Sequence, residues 1–435
     1  MKRKYSEEEN HGGVMKKCCR FLIPRKNWTR ENFLNHPMGV FLYQDNINDN
    51  TKYHALFPCG RNERKLLGCF GTQEEAAKAW DTQLRKEVND KHCDAFNFPL
   101  KENEKHFQYI IKDKFHFYRT HGFPYFPIDK EWRNGQLNLL LSKKENVNTI
   151  WISDNILQQE DHDVAPGNQL CWSYHPHNFE VRKTVFKGKN RPSATDTFRD
   201  DEKLLKCIRS CIEYRGYFQC SPTTLAGECK FLQGSWILNF QPLVAAAIYA
   251  RYEGTNGIVY DSSAGWGGKI LGARLANVKK YIACESNVAT YRGLLEMADL
   301  IKENMIIDIH MKGSEDFIPS EEVDMAFTSP PYFNLELYSN ESTQSHIKFS
   351  SFDMWCDGFL KKTMENTWKV IKKDGYMFIN INSCKMFLNE GFNLEEYTKK
   401  EAIRLGALLE NTLWMQKMDQ TIDKAESIFV FKKIK

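Results

Sequence analysis

The stretch that most restricts the fold is Gly257-Ile-Val-Tyr-Asp-Ser-Ser-Ala-Gly-Trp-Gly-Gly268. A short β-prone run stops at an acid, passes through a glycine-rich turn and enters the helical pattern of residues 269–276. Strand, turn and helix in that order make a nucleotide-type site, because residues without Cβ let backbone approach a ligand closely. The spacing is not the dinucleotide G-x-G-x-x-G, and Asp261 at the strand end offers a carboxylate suited to a cationic amino group rather than to pyrophosphate. The next strand, Tyr281-Ile-Ala-Cys-Glu285, ends in an acid about twenty residues after the turn, where ribose hydroxyls are bound in doubly wound folds. Ile306-Ile-Asp-Ile-His310 leads into Gly313-Ser-Glu-Asp316, and Val323–Ser329 leads into Pro330-Pro-Tyr332. Four strand ends that all carry ligand-type residues predict an α/β fold with a mixed, mainly parallel doubly wound sheet. Asn239–Tyr252, with Pro242 near its start and an alanine-rich body, is the helix expected before the first of these strands.

Ser329-Pro-Pro-Tyr332 has its own chemistry. Two prolines fix φ and donate no hydrogen bonds, so their carbonyls are free to accept from an amino group. Ser329 adds a hydroxyl acceptor, and Tyr332 and Phe333 offer flat faces for a base. This tetrapeptide resembles the catalytic motif of the DNA amino-methyltransferases, which use S-adenosylmethionine to methylate the exocyclic amine of cytosine or adenine. The resemblance runs in order through Phe240, Asp261–Gly268, Glu285, Ser314–Asp316 and Ser329–Tyr332. It implies a Rossmann-like methyltransferase domain with Ser329, Pro330, Pro331 and Tyr332 catalytic, and Tyr332 and Phe333 stacking on a flipped base. Phe240, Asp261, Ser263, Gly265, Gly267, Gly268, Glu285, Glu315 and Asp316 are then the cofactor residues. Of these, Asp261 takes the methionine amino group, Glu285 the ribose, and Glu315 or Asp316 the adenine amine. The Ser form leans toward the 4-amino group of cytosine, with the 6-amino group of adenine as the alternative. Methyltransferases of RNA or of protein glutamine usually carry Asn before Pro-Pro-Tyr. A catalytically silent DNA-binding partner that keeps the fold is the rival from another class.

Beyond this motif the pattern predicts a helix over Asp353–Val370, a turn at Lys372–Gly375, a buried strand over Tyr376–Asn382, a helix near Leu394–Leu405, and a hairpin from Leu408–Lys417 and Glu426–Phe431. The interval between Asp316 and Asp324 is too short for a target-reading insert, so target recognition is expected from the N-terminal 230 residues.

Phe41-Leu-Tyr43, Tyr53–Phe57 and Lys65–Phe70 are β-prone runs separated by turn residues, and Thr72, with Glu75 as capping partner, opens a helix reaching Leu84. This small three-stranded antiparallel sheet and helix resembles the ethylene-response-factor type of DNA-binding domain. The matching residues are Gly39-Val40, Tyr53, Ala55, Leu67–Phe70, Thr72–Ala77, Ala79-Trp-Asp81 and Phe96-Asn-Phe-Pro99. The resemblance implies double-stranded DNA as partner, with the sheet in the major groove. The first strand, Phe41-Leu-Tyr-Gln44, lacks that family's arginines, which leaves Lys52, Arg61, Arg64 and Lys65 as the DNA-binding residues. The expected domains are a basic arm (1–38), this module (39–100), an α+β linker or DNA-contacting region (101–200) and the methyltransferase domain (201–435). Within the third, Asp129–Ser142 reads as a helix, His175 and His177 as two residues on one face of a strand, and Lys183–Arg191 as a basic loop.

Among 435 residues, a hydrophobic share of 42% and a charged share of 27% are ordinary for a folded chain of two or three domains. The formal net charge is only +4, so a nucleic-acid surface has to be a local patch. Met1-Lys-Arg-Lys4 is followed by Glu7, Glu8 and Glu9 rather than an apolar segment, which excludes a signal peptide. An intracellular protein is expected, nuclear in a eukaryote and otherwise cytoplasmic, with no membrane partner. The thirteen cysteines lack a regular pattern and read as reduced thiols. Cys207, Cys211, Cys220 and Cys229 are expected in the core, and no metal is expected.

Overall fold

A computed structural model describes residues 40–44, 51–58, 64–70, 75 and 79, and residues 100–434 with breaks at 161–164, 186–188, 214–219, 234–236, 253, 384, 390, 418–420 and 423–424. The chain divides into two compact units, residues 1–122 with 208–221, and residues 123–207 with 222–435.

In the first unit, β1 (Val40–Gln44), β2 (Thr51–Pro58) and β3 (Arg64–Phe70) form an antiparallel sheet in that order. Leu42 lies opposite Tyr53, and the β2–β3 register shifts between Ala55 and Leu56. Lys52, Arg64 and Lys65 are strand residues; Arg61 and the arm 1–38 lie outside the described residues. So does the helix expected from Thr72, apart from Glu75 and Ala79, which are both helical. A 22-residue helix, Leu100–His121, completes this unit.

The second unit is built on one large sheet. Its strands, in chain order, are β4 (Trp151–Ser153), β5 (Ile156–Gln159), β8 (Ile258–Asp261), β9 (Lys280–Cys284), β10 (Ile306–His310), β11 (Val323–Thr328), β13 (Ile371–Asn380), β14 (Leu408–Lys417) and β15 (Glu426–Lys432). Their spatial order is β10-β9-β8-β11-β13-β15-β14-β5-β4. The first five run parallel, β15 is antiparallel to both of its neighbours, and β5 returns parallel to β14. This is the mixed, mainly parallel doubly wound sheet expected, a Rossmann-like α/β fold. Chain order reverses beside β8, which has β9 on one side and β11 on the other, and a ligand crevice belongs at such a switch point.

Buried strands here are near-continuous apolar runs, as a sheet covered on both faces demands. Val259, Tyr281, Phe327, Phe378 and Val430 are fully enclosed among the helices of one face. The helices Pro242–Arg251 and Gly268–Leu275 belong to that layer and meet at Gly272, where a Cβ would lie 2.6 Å from that of Ala245. Trp355, Phe359, Met364 and Trp368 cover the opposite face.

Several expectations need correction. The helix over Asp353–Val370 is interrupted by a π-helical turn, Cys356–Leu360, between Phe352–Trp355 and Lys361–Val370. The wider turn brings Trp355, Cys356, Phe359 and Leu360 into the core together, and Gly358 leaves room for the Phe349 ring, 2.3 Å from where a Cβ would stand. Lys372–Gly375 lies within β13, where Asp374 takes a left-handed φ of 65° and the pairing with β11 shifts register. Lys183–Arg191 is no open loop: β6 (Arg182–Val185) and β7 (Lys189–Arg191) pair with β12 (Glu336–Leu337) in a small third sheet. His175 and His177 sit on no strand: His175 joins the helix Asn168–Tyr174 to a 3-10 turn, Pro176–Glu180, and His177 lies within that turn. They bond there to the backbone carbonyls of Cys171 and Thr290 and to the Thr290 hydroxyl. Phe123–Cys207, with β4 and β5, lies in the same compact unit as the main sheet, on the other side of the boundary expected at residue 200.

Candidate active site

The carboxyl ends of β8, β9, β10 and β11 open onto a solvent-connected cleft. Its first wall is the glycine turn. Gly265 and Gly267 have φ of 58° and 89°, values that L side chains resist, and a Cβ on Gly268 would stand 1.8 Å from the Phe240 carbonyl oxygen. The turn is therefore pressed against the segment before the helix Pro242–Arg251, and Asn239 and Phe240 line the cleft beside it.

Glu285 is held from two sides. The Gly265 N–H donates to its Oε2 at 3.1 Å and the Asn287 N–H to its Oε1 at 2.8 Å. Each oxygen has capacity to accept a further hydrogen bond, and Glu285 lines the cleft. Burial nonetheless pushes its pKa up to about 7, against these two backbone donors.

Asp261 differs from expectation. It is fully buried, it accepts from the Tyr281 hydroxyl and the Ser263 N–H, and the Lys269 ammonium lies 3.3 Å away. Burial raises its pKa and Lys269 opposes that rise. Its carboxylate is thus spent on the first residues of its own turn and is missing from the cleft wall. Of this ion pair it is Lys269 that reaches the wall, and its Nζ also donates to the Ser263 carbonyl at 3.0 Å.

At the end of β10, Glu315 lines the cleft while Asp316 stays outside. Lys348 bridges them, 2.5 Å from Glu315 Oε1 and 2.7 Å from Asp316 Oδ2. Glu315 Oε2 is buried with no hydrogen-bond partner, and a buried acceptor in that condition costs about 1–3 kcal/mol until something donates to it.

Ser329 and Pro331 line the opposite end, whereas Pro330 borders a separate small void below β11. The Ser329 hydroxyl donates to Asn380 Oδ1 at 3.0 Å, and Asn380 is fixed in turn by its Nδ2, which donates to the Ser427 carbonyl at 3.0 Å. The Tyr332 hydroxyl reaches the Asn380 carbonyl at 3.4 Å. Phe333 is not presented to a ligand. With φ of 49° its side chain turns into the core against Phe352, Trp355 and Phe387.

Beyond the tetrapeptide, Tyr338, Thr343, Gln344 and Ser345 cross the cleft. This strap is tied down by Glu341, which accepts from Val288 N and Asn287 Nδ2 at the start of the helix Val288–Ile301.

The fold thus brings Phe240, Ser263, Gly265, Glu285, Glu315, Ser329 and Pro331 to one cleft. Gly267 and Gly268 shape it from behind. Asn380, Lys269, Lys348 and Tyr338 are additions that the sequence reading missed. Asn380 had a signal, since it ends the buried run Tyr376–Asn380 at the same sheet edge as the other strand-end residues. Cys207, Cys211, Cys220 and Cys229 are all buried. Among the described residues, no three His, Cys, Asp or Glu side chains are grouped to hold a metal ion, and no helix is long and apolar enough to cross a membrane.

No protein-family model and no curated protein matches the chain. Solved structures similar to it include the N-methyltransferase NodS of Bradyrhizobium japonicum, at 10% identity over 44% of this chain and 93% of that one, with a TM-score of 0.32. Another is a SAM-dependent O-methyltransferase of Thermotoga maritima, at 10% identity over 48% and 71%, with a TM-score of 0.33. A third is the 1,6-didemethyltoxoflavin-N1-methyltransferase of Burkholderia thailandensis, at 12% identity over 44% and 77%, with a TM-score of 0.31. At these scores the likeness says nothing about substrate or about individual residues.

Proposed function

We propose that this protein transfers a methyl group from S-adenosylmethionine to the exocyclic amine of a base flipped out of DNA, the 4-amino group of cytosine before the 6-amino group of adenine. The observation that carries the reading is the Ser329 hydroxyl on the cleft wall, with its proton committed to Asn380. A serine oxygen whose hydrogen is engaged elsewhere presents only lone pairs, which is what an amino group needs in order to donate. An exocyclic amine is a weak nucleophile because its lone pair is delocalised into the ring. Accepting its hydrogens at Ser329 and at the tetrapeptide carbonyls localises that pair and aims it along the cleft.

The other residues fit the cofactor. Glu285 offers two acceptors for ribose hydroxyls, the orphaned Glu315 Oε2 suits the adenine amine, and the glycine turn leaves no Cβ in the way. Because Asp261 is consumed internally, the methionine end is held differently from the sequence expectation: Lys269 and Asn239 take its carboxylate. When bound, S-adenosylmethionine supplies an electrophilic methyl on sulfur. Ser329 and Asn380 orient the acceptor, and the strap Tyr338–Ser345 limits water. Duplex DNA is assigned to the β1–β3 module through Lys52, Arg61, Arg64 and Lys65, on the strength of the sequence resemblance.

The test is transfer of labelled methyl to DNA by Ser329→Ala, alongside binding of S-adenosylhomocysteine. Transfer is expected to disappear while binding stays within a few-fold of the parent. Retained transfer overturns the assignment.

A further inference from the structure

One buried cation has no part in the chemistry above. Lys230 lies on the π-helical turn Cys229–Gln233 and is 2% exposed. Its Nζ donates to Asn178 Oδ1 at 2.6 Å. Three rings surround the ammonium, with centroids 4.9 Å (Trp172), 5.3 Å (Phe179) and 5.0 Å (Trp266) away. Each ring comes from a different element: the helix Asn168–Tyr174, the 3-10 turn Pro176–Glu180 and the glycine turn. Trp266 stands between Gly265 and Gly267 and lines the cleft, with Tyr338 of the strap edge-on at 5.9 Å.

We propose that Lys230 is a positioning residue for the cofactor cleft: its ammonium, held by Asn178 inside the Trp172–Phe179–Trp266 cage, fixes the Trp266 indole in the cleft wall. The attraction is of cation to ring face, at its strongest where water is excluded. Gly265 and Gly267 flank Trp266 at positive φ, and backbone contacts hold the turn itself, so the cage acts on the Trp266 indole rather than on the turn's backbone. A neutral amine loses the attraction and frees the indole.

Burial brings the Lys230 pKa down to about 7, and among the described residues the charged group that acts against this is Glu336. Glu336 also accepts from Tyr338 and feels Lys183. Other titratable groups on the packed elements are Glu228 beside Lys230, Cys171, Tyr174, His175, His177 and Glu180 behind the cage, and Lys269 and Glu285 at the turn. The anchor is present below about pH 7 and is lost as pH rises through it. Glu285 titrates in the same range with the opposite effect on cofactor binding, so affinity in the parent protein passes through a maximum near neutrality.

This inference rests on the cofactor reading above only for its ligand, and a ligand-free measurement separates the two. Tryptophan emission of the free full-length protein is followed from pH 5.5 to 9, and S-adenosylhomocysteine binding is measured calorimetrically at pH 6.5 and 8.5. The parent is expected to show an emission transition near pH 7 that is absent from Lys230→Met and from Trp266→Phe. Lys230→Met is expected to bind the ligand about tenfold more weakly at pH 6.5 and equally at pH 8.5, with some loss of thermal stability at both pH values because the buried Asn178 Oδ1 loses its donor. Lys230→Arg keeps its charge throughout and is expected to hold the affinity with no alkaline loss, which decides the matter if the Met variant does not fold. A transition that persists in Lys230→Met or Lys230→Arg overturns the proposal. If the parent binds no S-adenosylhomocysteine, the cofactor reading fails, and the emission transition still decides the role of Lys230.

Discussion

In the proposed reaction two side chains would carry most of the chemistry, and both are governed by their neighbours. Ser329 acts through Asn380, so Asn380→Ala is expected to lower the turnover number about a hundredfold. S-adenosylhomocysteine affinity should stay unchanged, because Asn380 is buried and does not line the cleft. Steady-state kinetics beside calorimetry reads this, and equal turnover would remove Asn380 from the mechanism. Glu285 has its pKa raised from 4.5 to about 7 by burial. The sign follows from the acid being harder to ionise in the folded chain: the folded state takes up a proton below about pH 7, and the cost of the buried carboxylate grows as pH rises from about 4.5 to 7. Ribose hydroxyls favour the ionised form, so affinity for S-adenosylhomocysteine is expected to fall toward about tenfold per pH unit below 7. In Glu285→Gln that acid limb should be flat. At this scale the sequence was legible where a residue ends a strand, as with Glu285, Glu315 and Ser329. It misled at Asp261, because one-dimensional spacing shows that a carboxylate is near a turn but not that Lys269 and Tyr281 consume it.

At the scale of elements, the parallel strands were readable because each is an apolar run bounded by turn or ligand residues. Interruptions were not: the π-helical turn Cys356–Leu360 depends on Phe349 packing against Gly358, a contact between residues nine apart with no local propensity signal. The glycine turn gives a graded prediction. Gly268→Ala drives a Cβ onto the Phe240 carbonyl oxygen and is expected to cost about 3 kcal/mol. Gly265→Ala meets nothing within 4 Å and only has to tolerate φ of 58°, so about 1 kcal/mol is expected. Denaturant midpoints check both, and equal losses would mean that the turn does not press on Phe240 as described.

For the whole molecule, Phe123–Cys207 shares a compact unit with the main sheet and adds β4 and β5 to its edge, across the division expected at residue 200. Edge strands added by a distant segment leave no periodic trace where they attach. With a net charge of only +4, the DNA binding proposed above requires a local patch. Replacing Lys52, Arg61, Arg64 and Lys65 by Gln in the full chain is expected to weaken duplex binding and to reduce the log-log salt slope by about 0.9 for each phosphate that is no longer neutralised. Fluorescence anisotropy over a salt series measures it, and an unchanged slope would place the DNA surface elsewhere. The most direct test of the account is mass spectrometry of nucleosides from DNA incubated with the purified protein and isotopically labelled S-adenosylmethionine. The account predicts labelled methyl on an exocyclic amine, cytosine first, and none with Ser329→Ala. Label on a ring carbon, or none on DNA from the unmodified protein while RNA or protein becomes labelled, would contradict it.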